Sequence, residues 1–321
     1  MHFPVSGVDV FPLIPPLVAF VVASLTASAG VSGAFLLLPF QMSVLGYVSP
    51  SVSATNLIYN IVAIPGGVYR YIREGRMAWP LTWVVIAGTL PGVFAGAVIR
   101  VRYLPDPRAA KFFVGLVLFG LGAWLLGEAT ARSSKGRERQ TALTRKFEAR
   151  LREHQAGGGR GPAGLPAGAI VKTRSVSLRR VEYEFWGEVF SFSTPALFAL
   201  ALGVGLIGGI YGIGGGAIIA PFVVTVFGLP VYTVAGAALL GTFLTSIAGV
   251  AAFEALALTP LGGGFAVRPD WALGALFGVG GLAGTYCGAR LQKYLPERWI
   301  RLGLGLLITG LSLSYLWQFF L

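Results

Sequence analysis

The chain has 321 residues, 55% of them hydrophobic and only 12% charged, and its mean hydropathy is +0.73. A soluble domain carries roughly 25% charge, so much of this surface must face lipid and an ordinary water-soluble fold is excluded. The net charge of +12 is concentrated between Arg132 and Arg180 and in short turns, which is how basic residues are retained on the cytoplasmic side of a membrane and not how a nucleic-acid footprint is laid out.

The opening stretch, MHFPVSGVDVFPLIPP, has no basic residue ahead of its apolar run and no small-residue cleavage box, so it does not read as a removable signal peptide. No Asp, Glu, Lys or Arg falls between Asp9 and Arg70. A helix crosses the hydrocarbon in about 20 residues, so this run holds more than one membrane element. The pattern predicts an apolar segment broken by Gly and Pro over 13–46, then helices over 50–70, 79–99 and 109–127. Residues 112–126, FFVGLVLFGLGAWLL, do not alternate in polarity, which favours helices over a closed barrel.

Residues 128–188 interrupt the apolar pattern and read as a basic cytoplasmic linker. Residues 131–154 have the composition of a charged helix, and 155–168, QAGGGRGPAGLPAG, that of a flexible tether. A second charge-free run from Glu188 to Glu254 then opens a new series: a broken segment over 195–228 and helices over 231–252, 271–291 and 301–320. The organisation is therefore a first transmembrane repeat (1–127), the linker (128–188) and a second repeat (189–321).

The two repeats are copies. Placing 30–68 beneath 212–250 brings Gly30, Gly33, Pro39, Phe40 and Gly46 onto Gly212, Gly215, Pro221, Phe222 and Gly228 without a gap. Farther along, Trp79 meets Trp271, and Gly88, Gly92 and Gly96 meet Gly280, Gly284 and Gly288. Ordered agreement of Gly, Pro and Trp is a mark of duplication that apolar letters alone would not supply. If the broken segments turn back within the membrane, each repeat has three full spans and the two are inverted. If they cross, the chain has eight spans in a parallel 4+4 repeat. Counting Lys and Arg near the spans favours the inverted form, with 128–188 inside and the N-terminus outside. Arg100, Arg102 and Arg108 then belong to an outer turn.

The sharpest local feature is GIYGIGGGAIIAPF, 209–222. Gly212, Gly214, Gly215 and Gly216 together let the backbone leave helical geometry and bare its amides, which lipid tolerates only where protein encloses them or a polar cavity receives them. A break there creates a helix N-terminus with partial positive charge, a setting for an anion. The first copy is reduced to GVSGAFLLLPF, 30–40, in which Ser32 and Gly33 stand at the corresponding place. The next helix of each repeat offers polar side chains: Asn56 and Asn60 at helical spacing with Ser53 in the first, and Thr242 and Ser246, with Thr245, in the second. They are candidates for lining a substrate pocket, or for joining helices. Glu254 is the carboxylate within AAFEALALTPL, a candidate for proton sensing or gating, or simply for reaching the headgroups. No Lys or Arg lies at mid-span, so an anion site is expected to use dipoles and neutral donors. No set of His, Cys, Asp and Glu has metal-ligand spacing, no nucleophile has a base beside it, and the lone Cys287 forms no intrachain disulfide. No cofactor, metal or enzymatic role is expected.

The duplicated glycine motif with its Pro, SVSATNLIYN after the first copy, VAGAALLGTF after the second and GLAGTYCGARLQKYLPE at 281–297 resemble the TauE/SafE sulfite exporter family, also called the toluene sulfonate uptake permease family. The resemblance implies a helical plasma-membrane carrier of small inorganic or organic anions such as sulfite, sulfoacetate or sulfonates, coupled to a proton or another ion. It carries the family's glycine motif onto Gly212, Gly214, Gly215, Gly216 and Pro221. A passive anion channel, and a scaffold or sensor using the central loop, are the other functions open to such a chain. Lipids are its surroundings, and its oligomeric state stays open.

Overall fold

The computed structural model describes all residues except 29–31, 74, 131–169, 263, 292–296 and 321. A short hairpin, β1 (His2–Phe3) and β2 (Val8–Asp9), precedes the helices α1 (Ile14–Ser28), α2 (Ala34–Ser43), α3 (Ser51–Ala63), α4 (Pro65–Arg73), α5 (Trp79–Arg102) and α6 (Pro107–Thr130). Three strands follow, β3 (Lys172–Val176), β4 (Arg180–Phe185) and β5 (Glu188–Ser193), and then α7 (Thr194–Tyr211), α8 (Gly216–Phe227), α9 (Val231–Ala257), α10 (Trp271–Leu291) and α11 (Glu297–Phe320). Among the described residues, five helices are long and apolar enough to cross a membrane, namely α5, α6, α7, α9 and α11; α1, α2 and α8 are apolar but shorter. The protein is thus a polytopic membrane protein with an all-helical body.

Both apolar segments that carry Gly and Pro are interrupted, α1 from α2 and α7 from α8. The second piece α8 ends on Gly228 with left-handed backbone, φ +65°, while the aligned Gly46, also left-handed at φ +69°, stands in the loop beyond Val44, which ends α2. That conformation costs an ordinary residue a clash at Cβ, which favours glycine at both positions. The single helix expected over 50–70 is two. Pro65 has no N–H to donate back into the preceding turn, so α3 stops at Ala63 and α4 begins anew on the proline.

Glycine stripes set the closest helix contacts. Gly88, Gly92 and Gly96 of α5 lie against Phe198, Leu202 and Leu206 of α7, where an added Cβ on Gly92 or Gly96 would come within 2.4 or 2.3 Å of a backbone carbonyl. Their counterparts Gly280, Gly284 and Gly288 of α10 lie against Pro16, Phe20 and Ser24 of α1, again at 2.0 to 2.4 Å from carbonyl oxygens. Numbers rise together in both pairs, so α5 runs parallel to α7 and α10 parallel to α1. The same holds for α3 with α10, where Thr55 and Val62 meet Gly274 and Gly278, and for α5 with α9, where Val85 and Val93 meet Gly241 and Gly249. In contrast α3 runs against α9, with Leu57 beside Gly249 and Asn60 bonded to Ser246, and α6 runs against α11, with Gly122 beside Thr309 and Ser312 bonded to the carbonyl of Gly115.

The described end of the segment read as a tether is a folded antiparallel sheet, β3–β4–β5, which runs across the expected boundary at 188. Val181, Tyr183 and Phe185 alternate on the buried face of β4, as do Phe190 and Phe192 on β5. Trp186 and Gly187, both with positive φ, make the two-residue hairpin between them. The alternation was legible in VEYEF and VFSFS, but the interleaved Arg and Glu presented it as solvated chain. Tyr183 donates to or accepts from Thr233 Oγ1 at 2.9 Å, fastening the sheet to the start of α9. The expected charged helix and Gly-rich tether at 131–168 lie outside the described residues, as does Gly30 of the first break.

Candidate functional site at the helix breaks

The break between α7 and α8 is built by glycines with left-handed backbone, Gly212 at φ +82° and Gly214 at φ +73°. The amides of Gly212 and Ile213 both turn back to the carbonyl of Gly208, at 2.8 and 3.1 Å, which ends α7. Space also demands glycine here: a Cβ on Gly212 would lie 2.2 Å from the carbonyl of Ser53, and one on Gly216 2.1 Å from that of Ala238. The Gly215 N–H donates to Thr245 Oγ1 at 3.1 Å, whereas among the described residues no acceptor is found for the N–H of Gly214 or Gly216. At the start of α2, Ser32 Oγ accepts from the N–H of Ala34 at 3.3 Å, and Gly33 lies directly beneath the hydroxyl of Tyr59.

The two breaks meet at one side chain. Asn56 Nδ2 donates to the carbonyl of Ala34 at 3.1 Å and to that of Gly212 at 3.0 Å, while its Oδ1 accepts from Gln41 Nε2 at 3.2 Å. One turn on, Asn60 Nδ2 donates to the carbonyl of Ile213 at 2.9 Å and to Ser246 Oγ at 3.3 Å, and its Oδ1 has no partner among the described residues. Asn56, Asn60, Thr245 and Ser246 are fully buried. Thr242 and Ser246 border the break, within 3.1 and 2.8 Å of where a Cβ on Gly214 would stand, although Thr242 spends its own hydrogen on Ala238 of the preceding turn. The sequence candidates of α3 and α9 are therefore gathered on the second break, and Ser32 and Gly33 reach it through Ala34.

Glu254 lies elsewhere. It is eight residues past Ser246, about 12 Å along α9, partly exposed, with Oε2 3.6 Å from Arg268 Nε and Oε1 accepting from Trp271 Nε1 at 3.1 Å. Arg100, expected in an outer turn, is instead buried in the last turn of α5: Nε donates to Ser53 Oγ at 3.3 Å, Nη2 to the carbonyl of Val48 at 3.2 Å and Nη1 to that of Leu104. Ser53 Oγ in turn donates to the carbonyl of Ile210 at 3.0 Å, in the last turn of α7. Arg100 is thus a buried cation at the end of α5 and not at mid-span. The missed signal was spacing, because Arg100 continues the stripe of Gly88, Gly92 and Gly96 that faces α7, whereas Arg102, two residues on, points away and is exposed. Gln41 was missed because a single amide in an apolar run gives no periodic signal.

Fold and site together define a class: a polytopic helical membrane protein whose interrupted helices bring glycine backbone and side-chain amides into an enclosed polar centre. Residues 16–315 match the family described as Sulfite exporter TauE/SafE, and the chain belongs to that family. No curated protein and no solved structure matches it. The protein is accordingly a membrane transporter of small anions and not an enzyme.

Proposed function

We propose that the protein is a secondary carrier of sulfur oxyanions or sulfonates, with sulfite and sulfoacetate as probes of that class, working by alternating access with the anion bound beside Gly212–Gly216. The observation that carries this reading is the break in α7 and α8, made of left-handed glycines in a fully buried part of the bundle next to Asn60, Thr245 and Ser246. Hydrocarbon offers a bare N–H nothing to bond, so such backbone persists in a membrane where a polar ligand or cavity uses it. The start of α8 adds partial positive charge. Ser32 and Gly33 contribute through α2, whose first carbonyl Asn56 ties to the second break.

Alternating access is served by inverted repeats with re-entrant broken segments. The helix directions support this arrangement: α1, α3 and α10 run one way, α5, α7 and α9 the other, so each of these helices in the second repeat opposes its counterpart in the first. Ser6 binds Asp270 at the start of α10, and Ser51 at the start of α3 donates to Ala266, which favours a common side for the entries to α1 and α3. The α1–α2 pair would then enter and leave on that side. The basic 128–188 loop is assigned to the cytoplasmic face of the plasma membrane. A passive channel is the weaker reading, because the polar residues at the break are enclosed.

The test is transport by purified protein in liposomes. Saturable uptake of radiolabelled sulfite or sulfoacetate, and exchange of external label for unlabelled internal anion, are expected. Flux equal to empty vesicles across a panel of sulfur oxyanions and sulfonates overturns the substrate assignment. Single-channel currents without exchange overturn the carrier mechanism.

A further inference from the structure

Arg100 is only 2% exposed, yet among the described residues its hydrogen bonds all go to neutral acceptors: Ser53 Oγ, the carbonyl of Val48 and the carbonyl of Leu104. The other charged residue buried to this degree among those described, Asp270, is occupied by Ser6 and by the N–H of Leu273. A charge taken out of water without a counter-charge is strongly unfavourable, and in membrane proteins such residues mark the route of a charged ligand. The three acceptors of Arg100 also belong to three separate pieces of chain: α3, the 44–50 loop that follows α2, and the 103–106 turn that follows α5. Through Ser53 the guanidinium is one hydrogen bond from Ile210, the residue two before the left-handed Gly212.

We propose that Arg100 is an oxyanion-recognition residue next to the second break, held in reserve by three neutral acceptors that an incoming anion replaces. The proposal rests on the carrier reading above and deepens it. A guanidinium presents a planar fork that pairs with two oxygens of a sulfite or sulfonate, and such a bidentate pair of opposite charges adds Coulomb attraction that neutral carbonyls do not supply. The anion therefore displaces Val48 and Leu104 from the terminal nitrogens. Release of those carbonyls frees the 44–50 loop from the 103–106 turn, and loss of the contact with Ser53 loosens the end of α7. Recognition and opening are then one event, since the bonds that hold the closed arrangement are those the substrate takes over.

The experiment is initial-rate uptake of radiolabelled sulfite into liposomes by wild type, Arg100→Gln and Arg100→Lys across a concentration series, with thermal unfolding in detergent measured with and without sulfite. Arg100→Gln is expected to raise the half-saturation concentration by on the order of tenfold or more, as loss of a charged hydrogen-bond partner requires. Arg100→Lys, which keeps the charge and loses the fork, should fall between. Sulfite should raise the unfolding temperature of wild type and not that of Arg100→Gln. A folded Arg100→Gln with wild-type half-saturation and undiminished protection by sulfite reduces Arg100 to a structural staple and overturns the proposal. Should Arg100→Gln fail to fold, Arg100→Lys decides: wild-type half-saturation in that variant overturns the proposal, a raised value supports it. A wild type that neither moves nor is protected by sulfite or sulfoacetate sinks the carrier reading first and this inference with it, whereas an active wild type with unaltered variants sinks this inference alone.

Discussion

Asn56→Ala separates the two breaks, and its cost follows from the bonds it deletes. Asn56 donates to Ala34 and Gly212 at 3.1 and 3.0 Å and accepts from Gln41 at 3.2 Å. Polar contacts between membrane helices contribute about 0.6 kcal/mol on average and up to about 1.7 kcal/mol, so three of them span roughly 2 to 5 kcal/mol. The upper half of that range applies, because Gly212 ends α7 and is buried, so its carbonyl is left without its donor. We expect a loss of about 4 kcal/mol. Asn60→Ala deletes only two bonds and also removes Oδ1, an acceptor already without a partner among the described residues, so its expected cost is smaller, about 1 kcal/mol. Reversible unfolding in mixed micelles with a rising fraction of denaturing detergent, followed by circular dichroism, gives both values on one scale. An Asn56→Ala midpoint equal to wild type, or a larger effect from Asn60→Ala, would refute the claim that Asn56 holds the breaks together.

Glycines are predicted to divide by surroundings. Gly216→Ala would place its Cβ 2.1 Å from the carbonyl of Ala238 and should abolish a monodisperse protein peak in size-exclusion chromatography, whereas Gly203→Ala, with open space around it in α7, should be tolerated or stabilising by up to about 1 kcal/mol. Glu254→Gln breaks a partly exposed pair with Arg268 and should change stability by no more than about 1 kcal/mol. Its transport should keep the pH profile of wild type; a profile flattened by this one change would make Glu254 the proton-coupling group. In a Cys287→Ser background, single cysteines at Ser177 and at Leu258, both exposed, should react with an impermeant thiol reagent from opposite sides of the membrane. Reaction of both from one side would favour the parallel 4+4 arrangement over the inverted one.

Chemistry written along the chain was readable without coordinates. Charge-free runs mark the membrane class, because lipid excludes charge wherever the chain folds. Gly212 to Gly216 mark a break, because freedom at φ is a property of the residue itself. The split at Pro65 is equally local in cause, the missing N–H, but the apolar run over 50–70 read as one helix. The sheet at 172–193 was readable in principle, since its period of two is present in the letters, but the charges between the aromatic residues pointed to solvent. What only tertiary structure decided is which buried polar group finds which partner. Asn56 and Thr242 are both polar residues of aligned helices, yet Asn56 reaches a carbonyl 156 positions away while Thr242 bonds within its own turn. Arg100 ends an apolar helix as a terminal anchor would, and the packing of α3 and α7 beside it turns it inward. Such partners are set by helices crossing in three dimensions, and a buried donor takes the acceptor that packing places within reach, whatever the distance along the chain.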